Sequence, residues 1–313
     1  MMKKILLPLG ALALAGTAQA ALVAYEGFGG YTVDTPIETQ TGGGSGWSND
    51  WYPANANTTD DDYWYAGSSN LSNGAYSGTG LSSSAGSTYY SVGAQVINGH
   101  NVVTRNMTTA FDGNTGGTVY ISYLVNGTAW DTNVARLSLS MDQTGRFLEI
   151  DNGGTNGRNL QIEMRGSPGA AGGVPPVVAT SASEVFNASG GTYFIVAKIN
   201  LTSGVDSPLG SGPFPYNTFN GEDTIQVKVY GDLDTVGLEP TTWDVEGIQY
   251  WDSVNQFNAI ELISSNVDQY AFDEIRVGTS WADVTAVPEP STYALLFGFL
   301  ALGFTMWRRK RNQ

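Results

Sequence analysis

Short runs of alternating apolar and polar residues, separated by glycine-rich stretches, constrain this chain more than any other feature. Residues 134–141 read V-A-R-L-S-L-S-M, which puts Val134, Arg136, Ser138 and Ser140 on one face and Leu137, Leu139 and Met141 on the other. Similar runs are predicted as strands at 21–28, 102–110, 118–125, 146–151, 159–165, 192–201, 224–230, 257–263 and 270–277. The D-N-G-G-T-N-G stretch from Asp151 is a hairpin connection between two of them. No segment sustains a 3.6-residue apolar period, so long helices are not expected. The forty glycines fit many turns, and the pattern predicts an all-β sandwich or barrel.

Residues 29–87 break this rhythm. They are poor in aliphatics, rich in Gly, Ser, Asn and Asp, and carry Trp47, Trp51, Tyr52, Tyr63, Trp64 and Tyr65. They are predicted as a long loop region that builds no core, with 66–86 close to low complexity. Gly/Pro-rich loops are also expected at 168–176 and 203–221.

Both ends follow other rules. Residues 1–20 have Lys3 and Lys4, an apolar stretch from Ile5 to Gly16, and Ala18-Gln19-Ala20. That is the layout of a secretory signal peptide cut between Ala20 and Ala21. At the other end, Val287-Pro288-Glu289-Pro290-Ser291-Thr292 precedes a mostly apolar run to Trp307 and the cluster Arg308-Arg309-Lys310-Arg311. Pro-Glu-Pro cannot be helical and forms an extended spacer. From Ser291 to Trp307 a single transmembrane helix spans roughly 25 Å, a short anchor. The basic cluster is costly to translocate, stays cytoplasmic and holds the upstream chain outside. The folded body is therefore confined to about residues 21–286, with the tail at 287–313.

The tail resembles the PEP-CTERM sorting domain of Gram-negative bacteria. The resemblance implies an exported protein that passes through the secretion machinery and is held transiently at the inner membrane. An exosortase then processes it and delivers it to the cell surface or the exopolysaccharide matrix. A-Y-E-G-F, G-W-S-N-D-W, F-I-V-A-K-I-N-L, D-T-I-Q-V-K-V-Y with L-E-P-T, and F-D-E-I-R-V-G-T-S-W-A-D-V-T resemble exported proteins of the LamG-like, concanavalin A-like class. That resemblance implies a jelly-roll β-sandwich whose first and last strands lie side by side.

Charge narrows the partners. Six of the 14 basic residues and one of the 29 acidic ones lie in the targeting segments, leaving eight against 28 and a body charge of −20. Such a surface repels phosphate backbones, so nucleic acid is excluded as a partner. The chain has no Cys, so the sandwich must be held by its core. With one His and no Cys, ordinary zinc and copper sites are excluded. No G-x-S-x-G elbow accompanies His100, which is read as a surface residue in the turn 98–101.

Three candidate chemistries remain. Glu149-Ile150-Asp151 resembles the start of the E-x-D-x-x-E strand of concanavalin-like β-glucanases. Gly154 stands where the third acid belongs, so the expectation is no enzyme, with a glycan-degrading enzyme as the alternative. No cofactor is expected, although Asp60, Asp61 and Asp62, or Asp232 and Asp234, are candidate calcium ligands for a calcium-stabilised adhesive module. Trp47, Trp51 and Trp64 are candidate contacts for extracellular polysaccharide; the competing reading is that they pin the long loop to the sandwich. The function expected is glycan binding or matrix structure.

Overall fold

The computed structural model describes residues 22–53, 63–79, 81, 86–91, 100–112, 115–127, 135–140, 146–153, 157–164, 177–203, 223–249, 256–265 and 270–285. The signal peptide, Ala20 and Ala21, Asp60 to Asp62, Val287 to Pro290 and Arg308 to Arg311 lie outside them. Among the described residues, no helix is long and apolar enough to cross a membrane.

The strands in chain order are β1 (Leu22–Glu26), β2 (Tyr52–Pro53), β3 (Tyr63–Gly67), β4 (Ser87–Ser91), β5 (His100–Asp112), β6 (Gly117–Gly127), β7 (Ala135–Ser140) and β8 (Arg146–Gly153). There follow β9 (Asn159–Met164), β10 (Val177–Thr180), β11 (Gly191–Leu201), β12 (Asp223–Tyr230), β13 (Val245–Gln249), β14 (Gln256–Ser265) and β15 (Tyr270–Gly278). Two five-residue helices join them, α1 (Gly74–Gly78) and α2 (Trp281–Thr285). The eight-stranded sheet runs β13-β12-β11-β6-β15-β4-β3, with β1 also on β15; the seven-stranded sheet runs β10-β9-β8-β7-β14-β5-β2. The sheets pack face to face as a jelly-roll sandwich. Its core joins Leu137, Leu139, Ile150, Ile162 and Leu262 of one sheet to Ile121, Val125, Ile195, Ile225 and Phe272 of the other.

The expected pairing of first and last strands is present. Tyr25 lies opposite Arg276 and Glu26 opposite Ile275. Strand β15 is shared: Ala271 and Phe272 pair with β4, while the stretch from Ile275 onward pairs with β1. The register slips between Asp273 and Arg276, where Glu274 takes φ +53°. A bulge there lets one strand serve two neighbours on the same edge.

The run T-Y-F-I-V-A-K-I in β11 is apolar on both faces. Tyr193, Ile195, Ala197 and Ile199 enter the main core, whereas Phe194 and Val196 enter a second cluster with Tyr76, Tyr120, Tyr230, Trp281 and Val284. That second cluster covers the outer face of the eight-stranded sheet, using α1, α2 and the Val236 turn. Ser122 donates to the Val284 carbonyl at 2.8 Å and the Trp281 indole to the Gly237 carbonyl at 3.0 Å, which pins α2 to β6.

Two expectations are corrected. Residues 29–87 were expected to build no core, yet Ile37, Trp51, Trp64 and Tyr76 are among the largest fully buried side chains. A few aromatics replace many aliphatics, since each buries roughly 150–250 Å². Within the stretch expected to approach low complexity, α1 forms with Asn73 as its cap, accepting the Tyr76 N–H at 3.0 Å. His100 and Asn101 begin β5 rather than a turn, paired with Ser265 and Ser264 of β14.

Candidate functional site

Two arginines, Arg105 buried and Arg136 half-buried, organise the polar chemistry of the sandwich. The first is Arg105 on β5. Val103 and Met107 on the same face belong to the core, so Arg105 enters the interior and needs a counter-charge. Glu26 on β1, fully buried, supplies it: Arg105 Nη1 pairs with Glu26 and Nε donates to the Asn49 carbonyl at 3.0 Å. Glu26 also accepts the Phe28 N–H at 2.7 Å and the Tyr31 hydroxyl at 3.0 Å. Burial lifts the Glu26 carboxyl above its ordinary range despite Arg105, and burial together with Glu26 lifts the Tyr31 phenol.

Over this pair runs G-G-G-S-G-W-S-N-D, residues 42–50. Its backbone bridges the two sheets. Ser45 exchanges both hydrogen bonds with Tyr25 of β1 at 2.9 Å, Ser48 N–H reaches the Asn106 carbonyl of β5 at 2.8 Å, and Thr108 N–H reaches the Gly46 carbonyl at 2.9 Å. The glycines are required by this close approach. Gly44 and Gly46 have φ near +80°, and a Cβ there would run into the carbonyl oxygens of Tyr25 and Val23. The segment encloses an open cavity of about 450 Å³, with Arg105 in its wall. Half-buried Trp47 lines it; its indole N–H donates to the Tyr25 carbonyl at 2.8 Å, and the Arg105 guanidinium carbon lies 5.0 Å from its ring centre.

The second arginine is Arg136 on β7, on the outer face of the seven-stranded sheet. Its Nη1 meets Glu149 Oε2 at 2.6 Å, and its Nε and Nη2 meet Asp151 Oδ2 at 3.0 and 2.9 Å. The expected sharing of a face by Glu149 and Asp151 is thus present. Register extends the row: Glu163 of β9 lies opposite Glu149, and Ser138, Glu261 and Thr104 continue it across β7, β14 and β5. Glu149, Ser138, Glu261 and Thr104 are buried. Burial pushes the Asp151 carboxyl up to about 6; Arg136 opposes this, while Glu149 and Glu163 add to it. Asp151 Oδ1 is buried with no hydrogen-bond partner.

The three tryptophans expected as glycan contacts separate. Trp51 is 1% exposed and stacks on Phe28 at 5.9 Å; Trp64 is 0% exposed and packs on Phe272 at 5.6 Å. Neither presents a face to a ligand, because each replaces missing aliphatic core. Only Trp47 keeps an accessible side. Of the candidate calcium ligands, Asp232 and Asp234 lie among the described residues. Asp232 accepts the Gly74 N–H at 2.7 Å and Asp234 the Gly231 N–H at 2.7 Å, both fastening turns. Among the described residues, no group of three or more His, Cys, Asp or Glu side chains is placed to hold a metal ion. Asp234 instead borders a cavity of about 470 Å³ beside Lys228 and Asp244, themselves paired at 2.7 Å.

Sequence reading missed the Arg105–Glu26 pair. Its signal is an arginine at an inward position of an alternating strand, V-V-T-R-N-M, which demands a buried acid from another element.

Residues 286–311 match the PEP-CTERM protein-sorting motif. No curated protein sequence matches the chain. Among solved structures, an endo-β-1,4-glucuronan lyase from the fungus Trichoderma reesei is similar, with a TM-score of 0.48 and 11% identity, covering 84% of this chain and 98% of that one. The T. cruzi calreticulin globular domain has a TM-score of 0.45 at 10% identity, covering 85% of this chain and 91% of that one. A Bacillus licheniformis β-glucanase has a TM-score of 0.39 at 10% identity, with coverages of 84% and 99%. The sorting motif marks an exported protein handled by an exosortase.

Proposed function

We propose that the body is a non-catalytic, glycan-binding component of an extracellular polysaccharide matrix, and that its glycan contact is the cavity under residues 42–50. The secretion machinery would export it, the apolar tail would hold it at the inner membrane of a Gram-negative cell, and an exosortase would release it to the surface. One observation carries the binding reading. Trp47 is the one of the three candidate tryptophans left accessible, and it borders a polar cavity of about 450 Å³ together with Asn49 and Asp50. A flat indole beside amide and carboxylate groups suits a sugar ring, whose faces are apolar and whose edge carries hydroxyls. The test is retention of the exported protein on polysaccharide. Trp47→Ala is expected to weaken binding by about 1 kcal/mol or more; a wild type that no polysaccharide retains would overturn the reading.

A second reading has one observation in its favour. Glu163 faces Glu149 across neighbouring strands, and Asp151 sits near 6, where a carboxyl can donate a proton. A glycan-degrading enzyme would use that row. Against it, Glu149 and Asp151 are both fastened to Arg136. Release of reducing ends by the wild type, abolished in Glu149→Gln, would favour this alternative.

A further inference from the structure

The cavity under residues 42–50 is donor-rich at its wall and acceptor-rich at its rim. Arg105, 3% exposed, commits Nε to Asn49 and Nη1 to Glu26 and Tyr31. Its Nη2 has no hydrogen-bond partner among the described residues. It sits beside Gly42, where the missing side chain leaves it room, and Arg105 belongs to the cavity wall. A guanidinium nitrogen donates and cannot accept, so what satisfies it must bring an oxygen acceptor. Asp50, exposed on the rim, gives Oδ1 to the Gly42 N–H at 2.7 Å and leaves Oδ2 as an acceptor. A ligand that answers both needs a strong acceptor at one end, hydroxyl donors at the other, and a compact ring for Trp47.

We propose that the cavity takes a uronic acid unit of an acidic polysaccharide, with its carboxylate on Arg105 Nη2 and its hydroxyls on Asp50. The inference rests on the glycan reading of this cavity and narrows its ligand class. Charge-assisted bonds from a guanidinium to a carboxylate are about twice as strong as neutral ones, so the acid group dominates selectivity. The field of the whole body works the other way. At −20 it repels a polyanion, so steering cannot supply the affinity and the local donor must. Added salt screens that repulsion, so binding should hold or strengthen with salt rather than collapse as a nonspecific polycation–polyanion contact would. Arg136 offers no equivalent, because all three of its nitrogens are already spent on Glu149 and Asp151.

The test compares galacturonic acid oligomers with the same oligomers after reduction of their carboxyls, titrated into the full exported protein and into its Trp47→Ala variant. The expected result is binding of the acidic oligomer about tenfold or more tighter than of the reduced one, and weakening of both by Trp47→Ala. Equal affinity for the two oligomers overturns the uronate inference and leaves glycan binding standing. Binding of neither overturns both. An acid preference that survives Trp47→Ala at undiminished affinity places the site elsewhere and overturns the assignment to this cavity.

Discussion

Arg105 and Arg136 solve one problem in opposite ways. Each is an arginine matched to buried carboxylates, Arg105 inside the sandwich and Arg136 half-buried on its outer face. Arg105 has one carboxylate partner, Glu26, and keeps a nitrogen to spare; Arg136 has two, Glu149 and Asp151, and leaves an Asp151 oxygen without a hydrogen bond. The first cluster has surplus donor and opens on a cavity. The second has surplus acceptor; burial raises its Asp151 carboxyl toward protonation, as burial also raises Glu26 in the first. The difference teaches that a buried ion pair need not be a functional site. What matters is which group the pair leaves unspent and whether anything outside can reach it.

Removing each arginine breaks the comparison most strongly. Arg105→Ala strands a fully buried Glu26 and is expected to cost about 3–5 kcal/mol in chemical denaturation. Arg136→Ala should cost less at acid pH, because Asp151, already near 6, can take up a proton once its cation is gone. Equal and pH-independent losses in the two variants would show that the stoichiometry of the pair is irrelevant.

Next in size is the contrast between Trp64 and Trp47. Trp64→Ala opens a cavity in a fully buried site and should cost about 3–5 kcal/mol, read as a lowered melting temperature, with no effect on binding beyond that of instability. Trp47→Ala should cost less stability and more affinity. A Trp64→Ala variant as stable as wild type would contradict the burial of the loop.

The pH profile is the gentlest probe. Burial lifts Asp151 to about 6, Glu38 to about 7 and Asp273 to about 8, from ordinary values of 3.8 for Asp and 4.5 for Glu. For Asp273, backbone N–H groups of Leu71 and Glu274 oppose the shift and Glu274 and Glu26 add to it. Each is neutral in the fold, but ionised in the unfolded chain, between those limits. The unfolded state therefore binds fewer protons, and stability falls as pH rises through this window. Melting temperature should be highest near pH 4, decline toward pH 8 and level off above it. A profile that rises from pH 5 to 8 would refute these assignments.

Strands β1, β5 to β9, β11, β12, β14 and β15 were legible because their alternation is dense in aliphatics. So was the shared face of Glu149 and Asp151, which spacing alone fixes; that Arg136 joins them depends on the register of β7 on β8. The pairing of β1 with β15 came from the family resemblance and from strong patterns at both ends of the body. What stayed hidden depends on single residues in contact over long separations. Residues 29–87 looked coreless because hydrophobic density is low, although Trp51, Trp64 and Tyr76 bury as much as several aliphatics. The Glu26–Arg105 pair joins positions 79 apart in sequence, and no local pattern reveals such a partner. Strands β10 and β13, four and five residues long, are too short for alternation to stand out. The bulge at Asp273–Glu274 breaks no sequence pattern at all.

The Nε–H signals of the two arginines give the most direct measurement. They are followed by ¹⁵N–¹H correlation while a galacturonic acid oligomer is added to the exported protein. The account predicts that the Arg105 signal and the Trp47 indole N–H shift together and saturate, while the Arg136 signal stays still. A titration in which Arg136 moves and Arg105 does not would place the ligand on the outer face of the seven-stranded sheet and contradict it.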